Sequence, residues 1–204
     1  MNKINYQKEL DKIIEKNLAE NKIPSLLLHV CCAPCSSYCL EYLSQYFSIT
    51  VYYYNPNISI KEEYDYRLNE EKRLVSLMNF KNPVTVVEGR YNPREFFDVV
   101  KGLENEPEGG RRCEQCFRLR LESAAQIAAE KGFDYFTTTL TISPLKNADM
   151  LNSIGAETGK LYGVSWLYSD FKKREGYKRS IALSKQYNLY RQNYCGCAFS
   201  KPKE

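Results

Sequence analysis

The sequence predicts an α/β fold: a mostly parallel β-sheet covered by helices on both faces. Three observations lead there. Short β-branched and aromatic runs alternate with helical patterns of roughly 10–20 residues, the order of repeated β-α units. The first run, SLLLHV at 25–30, is continuously apolar, as befits a strand buried on both faces. Turn residues follow the strands, and parallel sheets of this kind bind ligands at the carboxyl ends of their strands.

Ile4, Leu10, Ile13, Ile14 and Leu18 recur at helical spacing between lysines and glutamates, so residues 1–22 are expected to form an amphipathic helix packed on the body. After the strand at 25–30 comes CCAPC at 31–35. Pro34 suits a first helical turn, and Leu40, Leu43 and Phe47 continue the helical pattern. ITVYYY at 49–54 is a strand, and Asn55, Pro56 and Asn57 turn the chain into a charged helix over residues 60–78. VTVVE at 84–88 is the third strand. Asn92 and Pro93 open a helix through Val100, and residues 104–112 form a Gly/Pro/Glu/Arg loop. Residues 113–131 make a long helix stopped by Gly132. A strand at 135–140 ends at the segment 141–146, and Ser143 and Pro144 begin another helix. From Tyr162 onward come a short strand, a basic stretch and a last helix. No repeat, low-complexity run or linker interrupts the pattern, so residues 1–204 are expected to form one domain.

Apolar residues make up 43% of the chain and charged residues 26%, a globular balance that excludes a disordered chain. No run of about 18 apolar residues is present, so no membrane-spanning helix is expected. Residues 1–21 lack the apolar core of a secretory signal, which makes the cytoplasm, where thiols stay reduced, the expected location. The net charge of +4 permits a nucleic-acid partner without demanding one. One histidine against eight cysteines excludes multi-histidine catalysis and any zinc site with two histidine ligands.

Those cysteines are Cys31, Cys32, Cys35 and Cys39, then Cys113 and Cys116, then Cys195 and Cys197. In a reduced compartment such clusters indicate metal ligands or redox-active thiols, not a disulfide framework. Cys113 and Cys116 stand at i, i+3 near a helix start, which puts both sulfurs on one face. The helix dipole there, with Arg111 and Arg112 beside it, favours thiolate over thiol. Cys32 and Cys35 repeat the spacing at the first strand end, and Gly196 lets the loop carrying Cys195 and Cys197 wrap a metal. A structural zinc held by four cysteines is one solution. An iron–sulfur cluster fits better, because a domain of this size folds without zinc and the ligands sit at a catalytic edge. Seven cysteines exceed the four thiolates of one 4Fe-4S cluster, which points to an additional iron or other metal beside it, or to a redox thiol pair. Adjacent Cys31 and Cys32 are expected to point different ways and so not to serve one iron. Cys39, one turn inside a helix, is expected in the core.

The segments HVCCAPCSSY, YNPNI, RCEQCFRLRLESAAQIAAEKGFDYFTTTLTISPLKN, DFKKREGYKRS and YRQNYCGCAFS resemble the cobalamin-independent epoxyqueuosine reductases of the QueH family, from about Leu26 to Ser200. The resemblance implies a Rossmann-like three-layer sandwich of the adenine-nucleotide alpha-hydrolase type. It also implies reduction of epoxyqueuosine to queuosine at the wobble position of tRNAs with GUN anticodons. Carried over, Cys31, Cys32, Cys113, Cys116, Cys195 and Cys197 are metal-binding, and Cys35 occupies a further ligand position. The related group's glycine-rich pyrophosphate loop is replaced by CCAPC, which speaks against ATP use.

Removing an epoxide oxygen to leave an alkene consumes two electrons and two protons, so an external electron donor is expected. Cys31, Cys35 and Cys197 are the expected catalytic cysteines, around an iron whose open position polarises the C–O bond. Tyr54, Tyr91 and Asp170 are candidate acids. Arg111, Arg112, Lys172, Lys173, Arg174, Lys178, Arg179 and Arg191 are candidate phosphate contacts for the tRNA. Phe171 or an exposed tyrosine is a candidate stacking platform for anticodon-loop bases. Two other functions remain open: an ATP-dependent tRNA-thiolating enzyme of the same fold, and an iron–sulfur or zinc protein of electron transfer.

Overall fold

The computed structural model describes residues 4–201. Five strands, β1 (Ser25–His29), β2 (Ser48–Tyr53), β3 (Val84–Glu88), β4 (Tyr135–Thr138) and β5 (Ser165–Trp166), form one all-parallel sheet in the order β3-β2-β1-β4-β5. The helices are α1 (Tyr6–Ala19), α2 (Ala33–Leu43), α3 (Lys61–Leu77), α4 (Pro93–Val99), α5 (Arg111–Glu130), α6 (Ala148–Tyr162) and α7 (Gly176–Gln186). This is a Rossmann-like three-layer sandwich, as expected. Among the described residues no helix is long and apolar enough to cross a membrane.

The two-residue period of the strands assigns the layers. Leu26 and Leu28 of β1, with Ile49, Val51 and Tyr53 of β2, pack against α1, α2 and α3. Leu27 and Tyr52 face the opposite way, against Phe117, Leu121, Ala124, Ala125 and Ala128 of α5 and Leu151 and Ile154 of α6. Cys39 lies fully buried in the first of these cores, as its sequence position suggests. The expected N-terminal helix is shorter, with Asn5 as its N-cap, and residues 1–3 lie outside the described residues; of its apolar series Leu10 and Ile14 are buried in α1, Leu18 stands in solvent, and exposed Ile4 precedes the helix.

The strand order reverses direction at β1. The chain builds outward through β2 and β3, then returns to place β4 on the other side, which leaves a crevice beyond the carboxyl ends of β1 and β4. His29 ties that edge together. It is fully buried, and burial, with Arg120 nearby, pushes its pKa down to about 3. A carbonyl can only accept, so Nε2 carries the proton and donates to the Tyr54 carbonyl at 3.1 Å. Nδ1 then accepts from the Thr138 hydroxyl at 2.8 Å. Thr138 Oγ1 also accepts from the Leu140 amide at 3.2 Å, which turns the backbone out of the sheet. This local capping ends β4 at Thr138, and residues Thr139–Ile142 form a 3-10 turn where the sequence suggests continued strand. The next helix likewise starts later than Ser143. The Asn147 side chain accepts from the amides of Asp149 and Met150 and so nucleates α6 at Ala148.

On the far side, Gly155 of α6 faces Trp166, whose Nε1 donates to Asn152 Oδ1 at 3.0 Å and holds the ring in place. A Cβ at 155 would run into that indole. Gly155→Ala is expected to cost ~1–3 kcal/mol, a drop of several degrees in Tm on thermal unfolding, as overpacking of a fixed neighbour does. An unchanged Tm would show that α6 can slide.

Candidate metal centre and cleft

The CCAPC turn lies directly beyond β1. Cys32 is the N-cap of α2 in extended conformation, its carbonyl accepts from the amides of Cys35 and Ser36, and Pro34 occupies the first turn. This geometry brings Cys31 and Cys32 side by side, contrary to the divergence expected of neighbours: their sulfurs are 3.6 Å apart. With Cys35 they form a group whose three sulfurs all lie within 4.8 Å of one another, close enough for one metal ion.

Cys113 and Cys116 come from the first two turns of α5. Cys113 Sγ accepts from the Gly109 amide at 3.2 Å. Cys195 and Cys197 arrive from the far end of the chain and are positioned by α3. Arg67, buried on α3, donates through Nη1 to the Cys195 carbonyl (3.1 Å) and through Nη2 to the Tyr194 carbonyl (3.4 Å), while Nε holds Glu63 at 2.6 Å. Gly196 has φ of 105° and lies against Ile58 and Arg67, so only glycine fits this turn. Asn57, from the turn after β2, approaches Cys195 Sγ at 3.9 Å.

Two adjoining cavities join these groups. One is lined by Cys113, Cys116, Cys195 and Cys197; the other, about 210 Å³, by Cys31, Cys35 and Cys195. Both share Glu108, Arg120, Leu145, Lys146, Cys195 and Ser200. All seven motif cysteines therefore meet at the crevice, six lining it and Cys32 against Cys31 and Cys35.

Each group holds one strongly acidic thiol. Hydrogen bonds from Cys32 and Cys35 hold Cys31 well below the usual thiol range despite its burial, with help from Lys146 and Arg120. A hydrogen bond from Cys197, against the opposing effect of burial and aided by Lys146 and Arg120, pulls Cys195 down to about 5. The donors pay the converse: Cys32 is pushed up to about 12 and Cys35 and Cys197 are raised. Burial pushes Cys116 up to about 11.

The candidate acids do not reach this cleft. The Tyr54 hydroxyl donates to Glu95 (2.5 Å), the Tyr91 hydroxyl to the Ile58 carbonyl (3.1 Å), and Asp170 pairs with Lys172 (3.0 Å) beside a neighbouring cavity. Phe171 is 1% exposed and belongs to the core, so it offers no stacking face. Most of the basic run is spent on acids: Arg174 on Asp11, Lys178 on Glu175, Arg179 on Glu41. Arg112 is buried against the carbonyls of Glu104 and Glu106. Arg191 lines the second cavity and Lys173 the neighbouring one.

The residues that sequence inspection passed over are Arg120 and Lys146. Arg120 stands four residues beyond Cys116 on the same face of α5, a helical spacing that pointed to it. It is buried, donates to the Cys116 carbonyl (3.2 Å) and Asn55 Oδ1 (3.4 Å), and its Nη2 has no hydrogen-bond partner among the described residues. Lys146 is half-buried; burial lowers its pKa, but the negative charge of Cys195 and Cys31 outweighs that and pushes it up to about 12.

Comparison with known proteins agrees over nearly the whole chain. The family described as "Epoxyqueuosine reductase QueH" matches residues 26–203. A protein of that name from Staphylococcus epidermidis is 47% identical over 206 residues, covering 99% of this chain and 87% of its own length. One from Streptococcus pyogenes is 48% identical over 200 residues, covering 97% and 78%. One from Thermotoga maritima is 36% identical over 182 residues, covering 86% and 90%.

Two outcomes are expected of the supports beneath the cleft. In metal-free protein, Arg67→Met should free the C-terminal loop and speed thiol-reagent labelling of Cys195 and Cys197; unchanged labelling would refute the clamp. Glu71, buried on α3 beneath the cysteine turn, receives a hydrogen bond from Ser36 at 2.7 Å, and burial pushes its pKa up to about 8 from 4.5. The folded state therefore keeps a proton that the unfolded state releases. That contribution is full below pH 4.5 and is lost as pH rises toward 8, at up to ~1.4 kcal/mol per pH unit. Glu71→Gln should flatten the fall in stability over that window, read by denaturant unfolding at a series of pH values.

Proposed function

The chain belongs to the epoxyqueuosine reductase QueH family, and from that premise we propose that it reduces epoxyqueuosine in tRNA to queuosine at the cysteine-lined cleft. One observation carries the assignment of the cleft: seven cysteines from three distant segments converge at the crevice between β1 and β4. Parallel sheets place their chemistry at such a crossing point.

The residues fit a thiolate-bound iron–sulfur group. The donor set is wholly sulfur, which disfavours hard cations such as calcium and magnesium. Arg120 Nη2, buried without a partner beside Cys116, Cys195 and Cys31, suits an anionic group in the cleft. Cys113, Cys116, Cys195 and Cys197 would hold a 4Fe-4S cluster, and Cys31, Cys32 and Cys35 an additional iron. Bound there, the cluster supplies single electrons and the iron a Lewis-acidic position.

The chain's own residues do the rest. Leu140, Leu145, Phe117 and Met150 give the cavities apolar walls that limit water. Gln192, Asn193 and Tyr177 present polar groups to a base edge on the second cavity's rim. Arg191 and Lys173, with no carboxylate partner among the described residues, are placed for the RNA backbone. The cytoplasm and an external electron donor complete the reading.

Anaerobic protein reconstituted with iron and sulfide should convert epoxyqueuosine-containing tRNA to queuosine with a strong one-electron reductant. Cys31→Ser and Cys195→Ser should lose most iron and at least about 100-fold in turnover, as loss of metal ligation does. Cys39→Ala should keep both. Variants at Cys31 and Cys195 that retained iron and activity would sink the assignment, and an active protein holding zinc alone would overturn the cofactor.

A further inference from the structure

The reduction takes up two protons, and the candidate acids read from the sequence are tied elsewhere. Among the side chains that line the cleft, Lys146 is placed for the task. Lys146 lies in the short segment between the 3-10 turn beyond β4 and α6. Its backbone is braced on both sides: its own amide donates to the Ser143 carbonyl at 3.2 Å, and Asn147 caps α6. Its side chain lines both sulfur cavities and also the adjoining cavity with Asp170 and Lys173. Among the described residues no carboxylate or hydrogen-bond acceptor takes its ammonium group, in contrast to Lys172 nearby, which is held by Asp170 and the Thr141 carbonyl. Across the same cleft stands the unpartnered Nη2 of Arg120. Two cationic side chains therefore line a cavity bordered by Cys31, Cys35 and Cys195.

On the premise that this cleft reduces epoxyqueuosine, we propose that Lys146 is the general acid for the epoxide oxygen and that buried Arg120 supplies fixed positive charge beside it. The two side chains differ in what they can give. A guanidinium does not release its proton, so Arg120 can stabilise negative charge on oxygen without neutralising it. An alkoxide is a much stronger base than an amine, so the ammonium hands over its proton as the first C–O bond breaks. The balance closes as follows: two electrons enter from the one-electron donor of the reductase, both C–O bonds break, the C=C bond forms, and the oxygen leaves as water. Of the two protons in that water, Lys146 supplies the first by breaking an N–H bond. The second comes from Lys146 again after recharging from solvent through the adjoining cavity. Donors aimed at the atom where charge develops are where an enzyme gains most.

The test uses the reconstituted protein and full-length epoxyqueuosine-containing tRNA under single-turnover conditions. Lys146→Met should lower the rate about 10²–10⁴-fold, the usual worth of a positioned acid. Iron and sulfide content and tRNA affinity should stay at wild-type values. Lys146→Arg, which keeps the charge but not a transferable proton, should remain slow. Ethylamine added to Lys146→Ala should restore part of the rate in proportion to its concentration. A wild-type rate in Lys146→Arg would make the role one of charge alone and overturn the acid. Weakened tRNA binding with an unchanged single-turnover rate in Lys146→Met would make it a phosphate contact instead. Loss of iron in the variants, or no rescue by amine, would also overturn the proposal. A wild-type protein that never reduces the epoxide would sink the functional reading itself, which these variant outcomes leave standing.

Discussion

The site depends on one buried guanidinium. Arg67 on α3 reaches the carbonyls of Tyr194 and Cys195 and so fastens a loop from the far end of the chain onto the carboxyl edge of the sheet. Without that bond pair the second cysteine group would contain only the two sulfurs of α5. A charge in this position is expensive to bury, and breaking one side of a buried ion pair typically costs about 3–5 kcal/mol. Glu63 at 2.6 Å and the negative charge on nearby Cys31 support the charge, so the clamp and the sulfur groups stabilise each other.

The same reciprocity extends across the cleft. Arg120 and Lys146 help hold Cys31 and Cys195 ionised, and those sulfurs in turn keep Lys146 protonated. A cleft bordered by fixed cations favours the thiolate form of Cys31 and Cys195, the form in which sulfur binds metal. On the proposed function, the same cations also stand near the oxygen that acquires charge. On that reading, binding of an anionic sulfur centre and reductive opening of a C–O bond would draw on one electrostatic device.

Beneath the cleft the sheet edge is rigid for a different reason. His29 is neutral because it is buried, and its single proton can serve only one acceptor, the Tyr54 carbonyl. That leaves Nδ1 to receive Thr138, which joins β2, β1 and β4 at the level where the cysteine turn and the Lys146 segment leave the sheet. A buried histidine thereby ties three strands together directly beneath the cysteine-lined crevice.

Much of this was legible in the chain itself because it rests on local patterns. The apolar run at 25–30, VTVVE at 84–88 and the long alanine-rich helix over α5 carry their periodicity within a few residues, and Cys39 lies on the inward face of its own helix. The cysteine motifs announced a thiolate site by type and spacing alone. Short-range competition that pattern does not capture shifted the end of β4 to Thr138 and the start of α6 to Ala148, through single side-chain caps. Only the tertiary structure could bring Cys31 and Cys32 together, bury Phe171, spend Arg174 and Arg179 on acids of other helices, and leave Lys146 unpaired at the sulfur cleft. Pairing, burial and electrostatic setting are relations between segments distant in the chain. Local sequence specifies which groups exist, and the fold decides which of them still have a charge or a proton to give.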